Sequence, residues 1–180
     1  MKIGVMSDSH GALDNVLEAG VFLADELKVD LIVHLGDDED DAEALEGLGP
    51  KLIVVPGVFS DRYQDPAVPN RITTEFGAWR VLISHTIEAH PNDLPDDPDP
   101  EALIRHGEVD LVLHGHTHIP LVTERAAVVL VNPGHLRPQD KKGHDASFAC
   151  IEVRGRELEV TIYSLAAKSI LISEVYTKPQ

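Results

Sequence analysis

The chain of 180 residues contains one cysteine, Cys150, so no disulfide framework can form within it. Cys150 sits inside the apolar run Phe148 to Val153, where a buried core thiol is the ordinary reading. Basic residues are scarce. Fifteen Lys and Arg face 31 Asp and Glu, a formal charge of −16. That balance argues against long nucleic acid as a partner, because phosphate backbones are gripped by Lys and Arg. No apolar run approaches transmembrane length, and the N-terminal run is too short for a signal peptide, so no membrane partner and a cytoplasmic location are expected. Repeats and a domain linker are missing too. With 43% hydrophobic residues, positions 1–180 read as a single domain with a full core.

What is present is an alternation of elements. Lys2 to Ser7 reads as a strand, and Leu13, Val16, Leu17, Val21, Leu23, Ala24 and Leu27 recur as one helical face. Leu31 to Leu35 is a second strand, Ala42 to Leu48 a short acidic helix, and Leu52 to Val55 a third strand closed by Pro56-Gly57. This βαβαβ order predicts a parallel sheet with right-handed crossovers. Arg71 to Phe76 and Trp79 to Ser84, joined by Gly77-Ala78, read as a hairpin. Residues Pro91 to Pro100, with four Pro and four Asp, read as a loop or mobile lid. A helix over Glu101 to His106 leads into the strand Leu111 to Leu113, and Leu121 to Glu124 and Val128 to Val131 follow. Ser147 to Val153 pairs with Glu157 to Tyr163 around Gly155, and Ile170 to Val175 reads as an edge strand or as a contact between copies in a homo-oligomer. The fold class is α/β, a sandwich of two mixed sheets with the site at the strand C-termini.

Four apolar runs end in Asp or His. The first ends in Asp8-Ser9-His10, the second in Gly36-Asp37, the third in His85, and the fourth in Gly115-His116-Thr117-His118. The candidate metal ligands are therefore Asp8, His10, Asp37, His85, His116 and His118. Carboxylate alone suits Mg²⁺, and imidazole shifts the preference toward Mn²⁺, Fe²⁺, Zn²⁺ or Ni²⁺. Two adjacent divalent ions sharing a bridging carboxylate and hydroxide would make a nucleophile for in-line attack at phosphorus. They would also offset part of the negative charge.

In this order, and followed by Asn132-Pro133-Gly134, these motifs resemble the calcineurin-like metallophosphoesterase superfamily, and within it the small bacterial and archaeal phosphodiesterases. The similarity runs from Met1 to about Ser164. The resemblance implies a four-layer α/β/β/α sandwich and hydrolysis of small phosphodiesters or phosphomonoesters. It implies that Asp8, His10 and His118 bind one ion, Asp37 bridges, and His85 and His116 bind the other, Mn²⁺ being the leading metal. Asn132-Pro133-Gly134 would be a structural turn. Some members, the retromer-type scaffold subunits, keep the fold and act by protein–protein contact; having typically lost a ligand histidine, they are the weaker match here.

One loop departs from the pattern. The family's Gly-Asn, with a Cys-Asp or His after it, reads here Gly57-Val58-Phe59-Ser60-Asp61. Val58 cannot coordinate. Asp61 or Ser60 swings in as a replacement oxygen, water fills the position, or the second site is lost. The general acid is missing from the same loop, and His90 is the nearest substitute. His114 is expected to act behind the ligands or in the core, because successive strand residues face opposite ways. In the acidic run after Asp37, residues 38–41 read as the solvated start of a helix. Arg137 is the leading phosphate contact, ahead of Arg62 and Lys141. Because the histidine ligands must be neutral to bind metal, phosphoesterase activity is expected to fall below about pH 6, which a pH–rate profile checks.

Overall fold

The computed structural model describes residues 1–179. Strand β1 (Lys2–Met6) shows how its layers arise. Ile3 and Val5 point into one apolar cluster and Met6 into another, as alternation along a strand requires. Parallel strands β2 (Leu31–His34) and β3 (Lys51–Val54) lie beside β1. On its other edge follow antiparallel β9 (Ser147–Arg154), β10 (Glu157–Ser164) and β11 (Ile170–Thr177). This first sheet has the order β11-β10-β9-β1-β2-β3.

The second sheet is built from β4 (Arg71–Phe76), β5 (Trp79–Ser84), β6 (Leu111–Leu113), β7 (Leu121–Arg125) and β8 (Val128–Asn132), in the order β4-β5-β6-β8-β7. Its central strands β5, β6 and β8 are parallel, and its edges are antiparallel. Val81, Ile83, Leu111, Leu113, Val129 and Val131 face the first sheet, while Leu82, Val112, Val128 and Leu130 face outward onto Ile104 of α2 (Pro100–Arg105). On the far side of the first sheet, α1 (Leu13–Val21) buries Val16 and Ala19 against Met6, Ile32 and Phe148. Three apolar clusters thus separate four layers, and the expected α/β/β/α sandwich of two mixed sheets is the fold.

Several local expectations need correction. Leu13, Leu17 and Val21 are not on the buried helical face; they are 51%, 43% and 39% exposed. The helix instead approaches through its small side: a Cβ on Gly20 would overlap Leu45, and one on Gly4 would lie 2.6 Å from Leu23. The α-helix also stops at Val21, and Phe22–Glu26 continues as a π-turn. The acidic helix is a 3-10 segment, Glu39–Leu45, and not an α-helix over 42–48. Its first turn is solvated only in part: Asp38 and Asp40 are exposed, but Glu39 and Asp41 are buried. Asp41 accepts a bond from the Gly11 amide at 2.8 Å, and Glu39 accepts from the Ser60 hydroxyl.

The proline-rich loop forms no element, but it is fastened where a mobile lid was one expectation. Arg71, its side chain 1% exposed, donates to both Asp93 oxygens at 2.9 Å. Tyr63 donates to Asp93 at 2.7 Å and Asn70 to Asp97 at 2.8 Å. A buried guanidinium with this many acceptors is costly to release. Residues 170–177, the tail segment, form the edge strand β11, with Ile172 and Tyr176 packed on the inter-sheet core. No helix among the described residues is long and apolar enough to cross a membrane.

Asp110 links the two sheets. It accepts from the Arg80 side chain on β5 at 2.7 and 2.9 Å, and from Lys178, just beyond β11, at 2.7 Å. Burial alone would raise its pKa, but these bonds hold the carboxyl well below the usual carboxylate range. A depressed folded-state pKa means stability that is complete above about pH 4 and lost as pH falls further. Asp110→Asn is therefore expected to lower unfolding free energy at pH 7 by about 1–3 kcal/mol. The difference from wild type should shrink on acidification below pH 4 in urea titrations.

Candidate metal centre

The site forms where four parallel strands stop. Asp8 and His10 follow β1, Asp37 follows β2, His85 follows β5, and His116 and His118 follow β6. Asp8, His10, Asp37, His116 and His118 all adopt left-handed backbone, with φ between 49° and 66°. Left-handed backbone is uncommon outside glycine and costs free energy, and five of the six candidate ligands adopt it. Cross-loop bonds hold the turns in place: the Asp8 amide donates to Gly36 O at 2.9 Å and the Gly115 amide to His85 O at 3.0 Å.

The donor atoms fall into two groups that share one residue. Asp8, His10, Asp37 and His118 form the first, and Asp37, His85 and His116 the second. Asp37 Oδ2 lies 3.6 Å from His10 Nε2, and Asp37 Oδ1 lies 3.3 Å from His85 Nε2. His118 Nε2 is 3.2 Å from both Asp8 Oδ1 and His10 Nε2, and His85 Nε2 is 3.2 Å from His116 Nδ1. Ligand atoms about 2.1 Å from a shared ion stand about 3.0–3.4 Å apart, so the arrangement fits two metal ions. The ring nitrogens that face away are also occupied. His85 Nδ1 meets the Leu35 carbonyl at 2.7 Å, and His118 Nδ1 meets Asp140 Oδ1 at 2.9 Å. These outward bonds leave Nε2 free to face a metal.

Glycine makes room for the carboxylates. A Cβ on Gly57 would overlap Asp37 Oδ1, and a Cβ on Gly115 would lie 2.6 Å from Asp8 Oδ2. Charge is balanced locally. Burial raises the Asp37 pKa, but the bond and charge of His85 bring it below the usual value. Burial likewise lowers the His85 pKa, but Asp37 raises it overall. His118 is raised by Asp8, and then by Asp140. His34 and His114 lie behind the ligands, and burial pushes both down to about 4, so they remain neutral near pH 7.

The other sequence candidates are placed as follows. Val58 is buried, and Asp61 joins neither donor group. Ser60 is bonded to Glu39, and Asp61 opens the 3-10 turn Asp61–Gln64 with an exposed side chain. The His90 ring lies 6.3 Å from that of His116 and 5.5 Å from that of Phe59. Arg137 follows Leu136, whose amide bonds the Asp8 carbonyl at 3.3 Å; Arg62 is paired with Asp40, and Lys141 is exposed. Sequence reasoning missed Asp140 and the buried Glu39. Asp140 stands 22 residues from His118 in an irregular loop, where no periodicity points to it.

Known proteins resemble this chain in sequence and in fold. The calcineurin-like phosphoesterase superfamily domain matches residues 1–156. The chain is 31% identical over 170 residues to a protein of Methanothermobacter thermautotrophicus named as a probable metallophosphoesterase, covering 93% of this chain and 94% of that one. It is 29% identical over 147 residues to a phosphodiesterase of Methanocaldococcus jannaschii, covering 74% and 83%. Among solved structures, Vps29 of Chaetomium thermophilum superposes with a TM-score of 0.75 at 20% identity, over 99% of each chain.

Gly57→Ala is expected to push Asp37 out of both donor groups. Calorimetric Mn²⁺ titration should show affinity reduced about tenfold or more, with an unchanged far-UV circular dichroism spectrum. Wild-type uptake in the variant would remove Asp37 from the centre.

Proposed function

This chain belongs to the calcineurin-like phosphoesterase superfamily, and from that premise we propose that it is a dinuclear metal-dependent phosphoesterase acting on small phosphodiesters. The observation that carries the reading is Asp37, whose two oxygens face imidazoles of two separate donor groups. Asp8, His10 and His118 would hold one ion, His85 and His116 the other, and Asp37 both. Mn²⁺ suits the mixed carboxylate and imidazole set, with Ni²⁺, Zn²⁺, Fe²⁺ and Mg²⁺ as alternatives. When bound, two such ions supply Lewis acidity at the phosphoryl oxygens and an activated water for in-line attack.

The chain's own groups do the rest. The Asn92 amide donates to His90 Nδ1 at 3.2 Å, so a neutral His90 carries its proton on Nε2, where a departing alkoxide could take it. Arg137 is the candidate contact for a non-bridging phosphate oxygen. Asp38, Glu39, Asp40, Asp41 and Asp61 line a cleft of about 570 Å³ beside His10 and Asp37. That lining repels polyanions and favours a substrate carrying one phosphoester.

A scaffold role is the second reading. It is favoured by buried Val58, which leaves the second group with three donors against four in the first. The test is hydrolysis of a bis-nitrophenyl phosphodiester by metal-stripped protein titrated with Mn²⁺. Metal-dependent turnover absent in His116→Ala is expected. His90→Ala should slow an alkyl leaving group about 10²-fold and hardly affect nitrophenolate, which departs without a proton. No turnover with Mn²⁺, Ni²⁺, Zn²⁺ or Mg²⁺ would make the scaffold the leading reading.

A further inference from the structure

The two imidazoles whose outer nitrogens are bonded are backed in different ways. His85 Nδ1 meets a main-chain carbonyl, that of Leu35, which is itself in the core. His118 Nδ1 meets a carboxylate, Asp140 Oδ1, on the irregular segment 137–145. That segment leaves the Asn132-Pro133-Gly134 turn and returns to the first sheet at β9. Lys141, Lys142, Gly143, His144 and Asp145 are exposed, but the Asp140 side chain is only 5% exposed. Its second oxygen accepts the Lys142 amide at 2.8 Å. One carboxylate therefore orders the tip of its own loop and orients a ring of the first donor group.

We infer that Asp140 is a positioning residue that couples binding of a divalent cation at the Asp8, His10, Asp37 and His118 group to ordering of the 137–145 loop. The inference rests on the metal-binding reading of that group. A cation on His118 Nε2 favours the ring orientation and tautomer that donates Nδ1–H to Asp140, which strengthens the bond holding the loop. The coupling is reciprocal: a loop that stays docked raises cation affinity, and a bound cation keeps the loop docked. The second group has no such dependence through His85, because Leu35 O belongs to the core. The cation affinity of one group is thus tied to a surface segment, and that of the other to the interior.

Lys141 and Lys142 make the loop tip a trypsin site, and tips of this kind are where nicking concentrates. The experiment follows trypsin cleavage after Lys141 and Lys142 by mass spectrometry, with and without Mn²⁺, in wild type, Asp140→Asn and Asp145→Asn. Calorimetric Mn²⁺ titration and far-UV circular dichroism run on the same samples. Mn²⁺ is expected to slow cleavage about tenfold in wild type and in Asp145→Asn, and less than twofold in Asp140→Asn. Affinity at one site of Asp140→Asn should fall about 10–100-fold, with the other site unchanged. Wild-type Mn²⁺ uptake without protection of the loop overturns the coupling and leaves the metal centre standing. Full protection and affinity in Asp140→Asn overturn it as well. Absence of Mn²⁺ uptake by wild type overturns both the coupling and the metal-centre reading.

Discussion

The carboxylate of Asp37 ties the two sheets together at the strand ends that carry the candidate ligands. It follows a strand of the first sheet, and its two oxygens face His10 from that sheet and His85 from the other. Asp8 makes a similar crossing, since its carboxylate accepts the His116 amide at 3.1 Å. Both donor groups draw residues from both sheets. A cation in either would clamp the sandwich at the strand ends, where the apolar layer between the sheets gives out. Cation binding and tertiary stability are then one equilibrium, with the binding free energy adding to the stability of the folded state.

That constraint explains the backbone near the site. Loops from two sheets must bring short side chains within 3–4 Å of one another, and extended or helical backbone does not turn sharply enough. Left-handed residues at Asp8, His10, Asp37, His116 and His118 make the turns. Gly57 and Gly115 leave the space that the carboxylates fill. The strain is tolerated because the four-layer core beneath is rigid and the loops are bonded to one another. Asp93 and Arg71 apply the same logic further out, fixing the segment that carries His90 beside His116.

The donor sets of the two groups are unequal, and the inequality has a local cause. Val58 follows Gly57, whose amide faces buried Glu39 at 3.4 Å, and the Val58 carbonyl accepts from Asn92 at 2.8 Å. The side chain turns into the protein, and the loop projects Phe59, 74% exposed, toward His90 and His116. An aromatic surface thus stands at the mouth of the site.

Much of this was legible in the chain itself. Strand alternation separates Ile3 and Val5 from Met6, and Val81 and Ile83 from Leu82, so the layers follow from period-two chemistry. The six donor residues stand at strand ends because apolar runs stop there. The helix face was misjudged because apolar spacing alone does not tell which side of α1 packs closely; Gly20 decided that through its close approach to Leu45, with Ala19 buried next to it. The burial of Glu39 and Asp41 could not be read from a run of acids, because it depends on Ser60 and Gly11 arriving from elsewhere. Asp140 was hidden for the same reason: its partner lies 22 residues away, and only the return of the loop brings them together. Local pattern determined the strands, the layers and the candidate ligands, since each depends on neighbours a few residues apart. Tertiary structure decided which acids are buried and which residue backs His118, since those are distances between segments that meet only when the sheets close.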